Sequence, residues 1–131
     1  QTIKKENVKS ERDKKSGHTP FSFNKLYHLA NNDESFVKEM LQMFITTTTE
    51  GLNEIKTGIV DKDWEKVALF SHKINSPCRH LEAYRLSELL KKIETNARDG
   101  KNEKEISVWF KDARVEADGI IVSIKKHLSR S

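Results

Sequence analysis

Apolar residues recur every three or four positions along most of this chain, and no segment alternates with period two long enough to make a strand. The longest stripe is Phe36, Val37, Met40, Leu41, Phe44, Thr48, Leu52, Ile55 and Ile59, about six turns along one helix face. It runs through Thr46, Thr47, Thr48, Thr49 and Gly51, all of low helix propensity, so its continuity predicts one long helix there. A second stripe is Val67, Phe70, Ile74, Cys78 and Leu81, with Trp64 at its margin. A third is Leu86, Leu89, Leu90, Ile93 and Ala97. The last runs from Ile106 through Trp109, Phe110, Ala113, Ala117, Ile120, Ile121 and Ile124 to Leu128. A shorter element, Phe23, Leu26, Tyr27 and Ala30, precedes them. Four long amphipathic helices joined by short turns specify an all-α antiparallel four-helix bundle with a short extra N-terminal helix.

Punctuation residues divide the stripes. Asp33 is placed to cap the first long helix. Gly58 marks a break after it, with Asp61 capping the next helix and Asp63 and Glu65 complementing its dipole. Pro77 removes one backbone donor and is expected to kink that helix, which ends near His80. Gly100 fits the position just past a helix end, and Asn102 with Glu105 has the spacing of a capping box. Residues 1–19 are charged and almost devoid of apolar groups, the pattern of a disordered linker cut from a longer polypeptide; residues 20–129 form the bundle domain.

Charge and composition remove several functions. Six basic and three acidic residues lie in residues 1–19, so +3 of the net +4 belongs to that stretch and the helical part is nearly balanced. A nucleic-acid binder would carry a basic face on its folded surface, and none is visible, which leaves only the basic tail for a nucleic-acid-binding bundle. No run of 18 apolar residues exists and no signal-peptide pattern opens the chain, so no membrane contact is expected from this domain. The single cysteine, Cys78, excludes an internal disulfide, fits a reducing compartment and falls on the core side of its helix. His72 and His80 lie about 12 Å apart along a helix, too far to share a zinc ion, so no metal site is expected. Glycines are scattered singly, which leaves no phosphate-cradling loop, and no hydrolytic triad is visible.

His72 stands out by its position. At helical spacing it points almost directly away from the second stripe. Its neighbours on that outer face are Glu65, Ala68, Leu69, Ser76 and Arg79. Ala68 and Leu69 place apolar groups where solvent is expected, which reads as a docking surface. Ser76, one turn on, leaves room for another molecule to approach.

The segment resembles the signature of histidine-containing phosphotransfer (HPt) domains. Ser71-His72 matches the small-residue–histidine pair, Ile74 the apolar position after it, Ala83 the closing alanine, and Asp63-Trp64-Glu65 the start of the helix. The resemblance extends from about Phe21 to Leu128, and implies that the short first helix covers one end of the bundle. The family's lysine three positions after the histidine is Asn75 here, its glycine is Ser76, and Pro77 lies inside the helix. The resemblance implies a phosphorelay intermediate, a phosphocarrier rather than an enzyme, accepting a phosphoryl group on His72 from a receiver-domain aspartate and passing it to another receiver. Lys73, Asn75, Ser76 and Arg79 would stabilise the phosphoryl group, with Arg79 or Lys73 taking the missing lysine's role. Glu65, Ala68 and Leu69 would dock the partner, Leu69 as the apolar anchor. The domain would need no cofactor of its own, Mg²⁺ being held by the partner receiver. It would be a cytoplasmic monomer within a hybrid sensor histidine kinase, a parent chain that membrane anchoring would suit. The alternative is a phosphorylation-inactive helical module that only binds receivers.

Overall fold

A computed structural model describes residues 22–130. The linker expected at residues 1–19, with the residues up to Phe21 and the final Ser131, lies outside the described residues. Five helices follow in order: α1 (Asn24–Leu29), α2 (Glu34–Asp61), α3 (Trp64–His80), α4 (Tyr84–Asp99) and α5 (Glu103–Ser129). Turns of two or three residues join α2, α3, α4 and α5, so each helix must reverse against the one before it, and the result is an antiparallel four-helix bundle.

The stripes read from the sequence form the core. Val37, Leu41, Ile55, Val67, Ile74, Leu90, Ile93, Ile106, Ala117, Ile120 and Ile124 are fully enclosed. Within the ring of α2 to α5, consecutive helices pack closely, whereas α2 and α5 close it over a smaller contact. The hydroxyls of Thr48 and Ser71 are buried among these side chains without a hydrogen-bond partner.

Helix ends follow local chemistry, with two corrections. Asp33 caps α2, its carboxylate accepting from the amides of Ser35 and Phe36 at 3.0 and 3.3 Å. The break expected at Gly58 comes later: α2 continues to Asp61, Lys62 turns with φ 58°, and Asp63 caps α3 through the Lys66 amide. Gly58 serves packing instead. A Cβ there would lie 2.8 Å from Val67 Cγ2 and 3.2 Å from the Asp63 carbonyl. Gly51 plays the same part against Ile74. Both glycines thus let α3 approach the α2 backbone. The second correction concerns Asn102, which adopts a left-handed φ of 58° and donates its side-chain amide to Asn96 rather than capping α5. Gly100 ends α4 in the left-handed conformation, as its place past the stripe implies.

The short α1 lies over the end of the bundle where α3 stops and α5 finishes. The Ser22 amide donates to the Leu81 carbonyl at 2.9 Å. Tyr27 Oη bonds Glu34 at 2.9 Å and meets His127 Nε2 at 3.1 Å, while the Phe23 ring packs on His127. These contacts fix one end and leave the middle of α3 uncovered.

Three outcomes test this packing. Gly119 lies within α5 with open space where a side chain would be, so Gly119→Ala is expected to stabilise the domain by about 0.5–1 kcal/mol in urea denaturation. Gly51→Val must displace Ile74 and is expected to destabilise by about 1–3 kcal/mol. Burial pushes the Cys78 thiol up to about 12. The unfolded thiol loses its proton at lower pH than the folded one, so the unfolded state binds fewer protons and stability falls as pH rises. Wild type is therefore expected to lose stability relative to Cys78→Ala between pH 9.0 and about 12, by about 1.4 kcal/mol per pH unit. A difference in urea midpoint between the two proteins that stays constant across that range would show the thiol to be solvated.

Candidate functional site

His72 projects from the middle of α3 with 70% of its side chain exposed. It is held from one side only. Its Nδ1 lies 3.1 Å from Glu94 Oε2 on α4. Glu94 is largely buried, its side chain 12% exposed. The same Oε2 accepts from Arg98 Nη2 at 2.8 Å and from Nε at 3.2 Å, one helical turn further along α4. A carboxylate gripped by a guanidinium accepts hydrogen bonds and does not donate them, so the ring nitrogen facing it carries the hydrogen. That assigns the proton of the neutral ring to Nδ1. Nε2 is left with its lone pair, away from Glu94.

Around the ring, His72, Asn75, Ser76, Arg79, Lys91 and Glu94 line a recess of about 210 Å³. Arg79 stands two turns after His72 on the same exposed face. Lys91 reaches the recess from α4 and was not singled out from the sequence. Lys73 points elsewhere, its Nζ lying over the Phe70 ring at 5.3 Å. Ser76 is exposed, whereas Asn75 is buried in the α3–α4 seam and accepts a 2.5 Å hydrogen bond from Ser87 Oγ. Asn75 is thus a tie between helices at the edge of the recess.

The expected docking residues separate. Leu69 is 58% exposed and Glu65 is exposed beside it. Ala68 is corrected: it is only 3% exposed, because its Cβ falls in the α3–α4 seam instead of on the outer face. It lines, with Asp63, Trp64, Leu69, Ala97 and Arg98, a broad open depression beside His72. Arg98 therefore borders both the depression and the carboxylate that holds the histidine. Among the described residues no group of three or more His, Cys, Asp or Glu is placed to bind a metal ion. Nor is any described helix long and apolar enough to cross a membrane.

Residues 39–116 match the family model of the Hpt domain. The chain belongs to the Hpt family. That match spans more than half of the 131 residues and contains His72, Glu94 and Arg98. No curated protein and no solved structure matches the chain. Hpt domains are phosphocarrier modules of two-component signalling that meet response-regulator receivers, and they are not catalysts in themselves.

Sequence reading missed Glu94, Arg98 and Lys91 of this Hpt domain, although one signal was present. Glu94 falls four residues after Leu90 and three before Ala97, on the apolar stripe of α4. A carboxylate on a buried stripe demands a partner, and Arg98 one turn later supplies half of the answer. The other half, His72, is 22 residues away and visible only once α3 and α4 are in register.

The tautomer assignment is open to direct measurement. In ¹⁵N spectra of labelled histidine, the neutral His72 ring is expected to show the Nδ1–H form. Glu94→Met is expected to lose that preference, because Met leaves Nδ1 without a strong acceptor, while Glu94→Gln retains it through the amide oxygen. An unchanged His72 signature in Glu94→Met would show that Glu94 does not set the tautomer.

Proposed function

We propose that this Hpt domain carries a phosphoryl group on Nε2 of His72, taken from a receiver aspartyl phosphate and passed to a second receiver aspartate. The observation that supports the reading most is the ring itself: exposed mid-helix, anchored at Nδ1, with Nε2 free. The Nε2 lone pair attacks phosphorus, the P–O bond to the aspartate breaks, and the carboxylate leaves with the electron pair. No proton has to depart, since Nε2 carried none. The phosphorylated ring is positive, and its Nδ1–H remains bonded to Glu94, which stabilises that charge. Return of the phosphoryl group to an aspartate breaks the N–P bond and restores the neutral ring. Mg²⁺ held by the receiver would neutralise the transferring group, so the Hpt domain needs no cofactor of its own.

Arg79 and Lys91 are the cations that border the recess, and Ser76 and the Asn75 amide are its neutral donors. A guanidinium suits phosphate geometry, which makes Arg79 the better replacement for the family's lysine. Lys73, turned toward Phe70, is less well placed. Leu69 and Glu65 border the depression into which a receiver would dock, with Ala68 beneath them. Transient signalling interfaces are small, so one exposed leucine carries weight there. The parent is best read as a hybrid sensor histidine kinase with this domain in the cytoplasm, acting as a monomer and without nucleic acid.

Incubation with a receiver, a kinase and γ-labelled ATP is expected to give acid-labile, base-stable label on the wild type and none on His72→Gln. Arg79→Ala is expected to slow transfer about tenfold or more, the loss of one charge-assisted contact to the phosphoryl group. Full labelling of His72→Gln would refute the site. Receiver binding with no label on wild type would favour the alternative, a phosphorylation-inactive interaction module.

A further inference from the structure

The α2–α5 seam lies across the bundle from the α3–α4 seam that presents His72. Here Ile59, Val60 and Phe110 line an apolar recess of about 350 Å³, and Lys56, Lys111 and Arg114 stand at its rim. No carboxylate lines it. Val60 is 72% exposed, the highest value among the large apolar side chains of the described residues. Some basic side chains elsewhere on the domain are matched, Lys66 with Glu54, Arg85 with Glu116 and Arg98 with Glu94. Here three cations, Lys56, Lys111 and Arg114, surround one apolar floor and take part in no ion pair among the described residues. Arg114 rests over the Phe110 ring at 5.4 Å, and among the described residues its polar contact is the Asn53 amide oxygen at 3.5 Å. This is also where the ring of helices closes over its smallest contact.

We propose that this seam docks an acidic amphipathic helix of a partner protein. Its apolar stripe would cover Ile59, Val60 and Phe110, and its flanking carboxylates would pair with Lys56, Lys111 and Arg114. The groove lies between two helices, which suits a third helix laid along it, read through anchors at i, i+3, i+4 and i+7. The charges decide the occupant. Three unmatched cations around an apolar floor attract acidic groups and disfavour a basic helix or a second copy of this seam, which would set lysine against lysine. An apolar floor is of no use to a nucleic-acid backbone. Because the seam faces away from His72, the helix and a receiver can be bound at once. The proposal does not depend on phosphotransfer.

The probe is a fluorescein-labelled, end-blocked helical peptide with leucines at i, i+3, i+4 and i+7 and glutamates on both flanks. Two controls accompany it, one with lysine in place of glutamate and one a scrambled sequence. Saturable binding of the glutamate peptide alone is expected, with amide shifts at Val60, Ser107 and Lys111. The double variant Lys111→Glu/Arg114→Glu is expected to weaken it about tenfold or more while its phosphotransfer through His72 is unchanged. Lys111 is exposed and Arg114 half-buried over Phe110, so retained α-helical signal and an unchanged urea midpoint check that the variant folds. Absence of saturable binding, equal binding of either control, shifts mapping to His72 instead, or undiminished affinity in the double variant would each overturn the proposal. So would self-association of the domain that Val60→Glu abolishes, which would assign the seam to a second copy.

Discussion

A carboxylate placed on the buried face of a helix has to find positive charge or hydrogen-bond donors, and in this domain Glu94 finds both on one oxygen. Arg98 binds it from the same helix and His72 from the neighbouring one. Desolvation of Glu94 thereby fixes an imidazole that would otherwise rotate freely in solvent. The arrangement separates two demands that usually conflict. The ring must be exposed to meet a partner, yet oriented so that one nitrogen always faces outward. Gripping Nδ1 from beneath satisfies both, because the anchor lies in the seam and the lone pair lies in water.

The α3–α4 seam has to be in correct register for this to work, and its neighbours enforce that register. Asn75 ties to Ser87 across the seam a short distance from His72. On the other side of α3, Gly51 and Gly58 remove the side chains that would hold α2 away, so Ile74 and Val67 pack against bare backbone. Pro77 lies within the helix just beyond the site, where it removes one helical hydrogen bond near Lys73. Substitution of the family's lysine by Asn75 fits the same logic: the position became part of the interhelical contact, and positive charge enters the recess from Arg79 and Lys91 instead.

The molecule presents two unlike surfaces on opposite seams. One is polar, bears an exposed imidazole and adjoins an open depression with one exposed leucine. The other is apolar on its floor and basic at its rim. The weaker closure between α2 and α5 explains why apolar residues are exposed there, since fewer side chains interlock across it.

Periodicity alone determined the helices, their antiparallel order and most of the core, because burial of a stripe every 3.6 residues is a local property of the chain. It also placed His72 outside, since the angle between a residue and its own stripe is set within one helix. Ala68 shows the limit of that reading: its angle is near the margin, and whether the margin is wet depends on how closely α4 approaches. Gly58 and Asn102 were read by residue type, as a break and a cap, whereas their roles come from a neighbouring helix and a neighbouring side chain. Glu94 and Lys91 joined the site only through the packing of α4 on α3. Contacts between residues 22 positions apart depend on the rotation and register of two helices, and no single stripe encodes either.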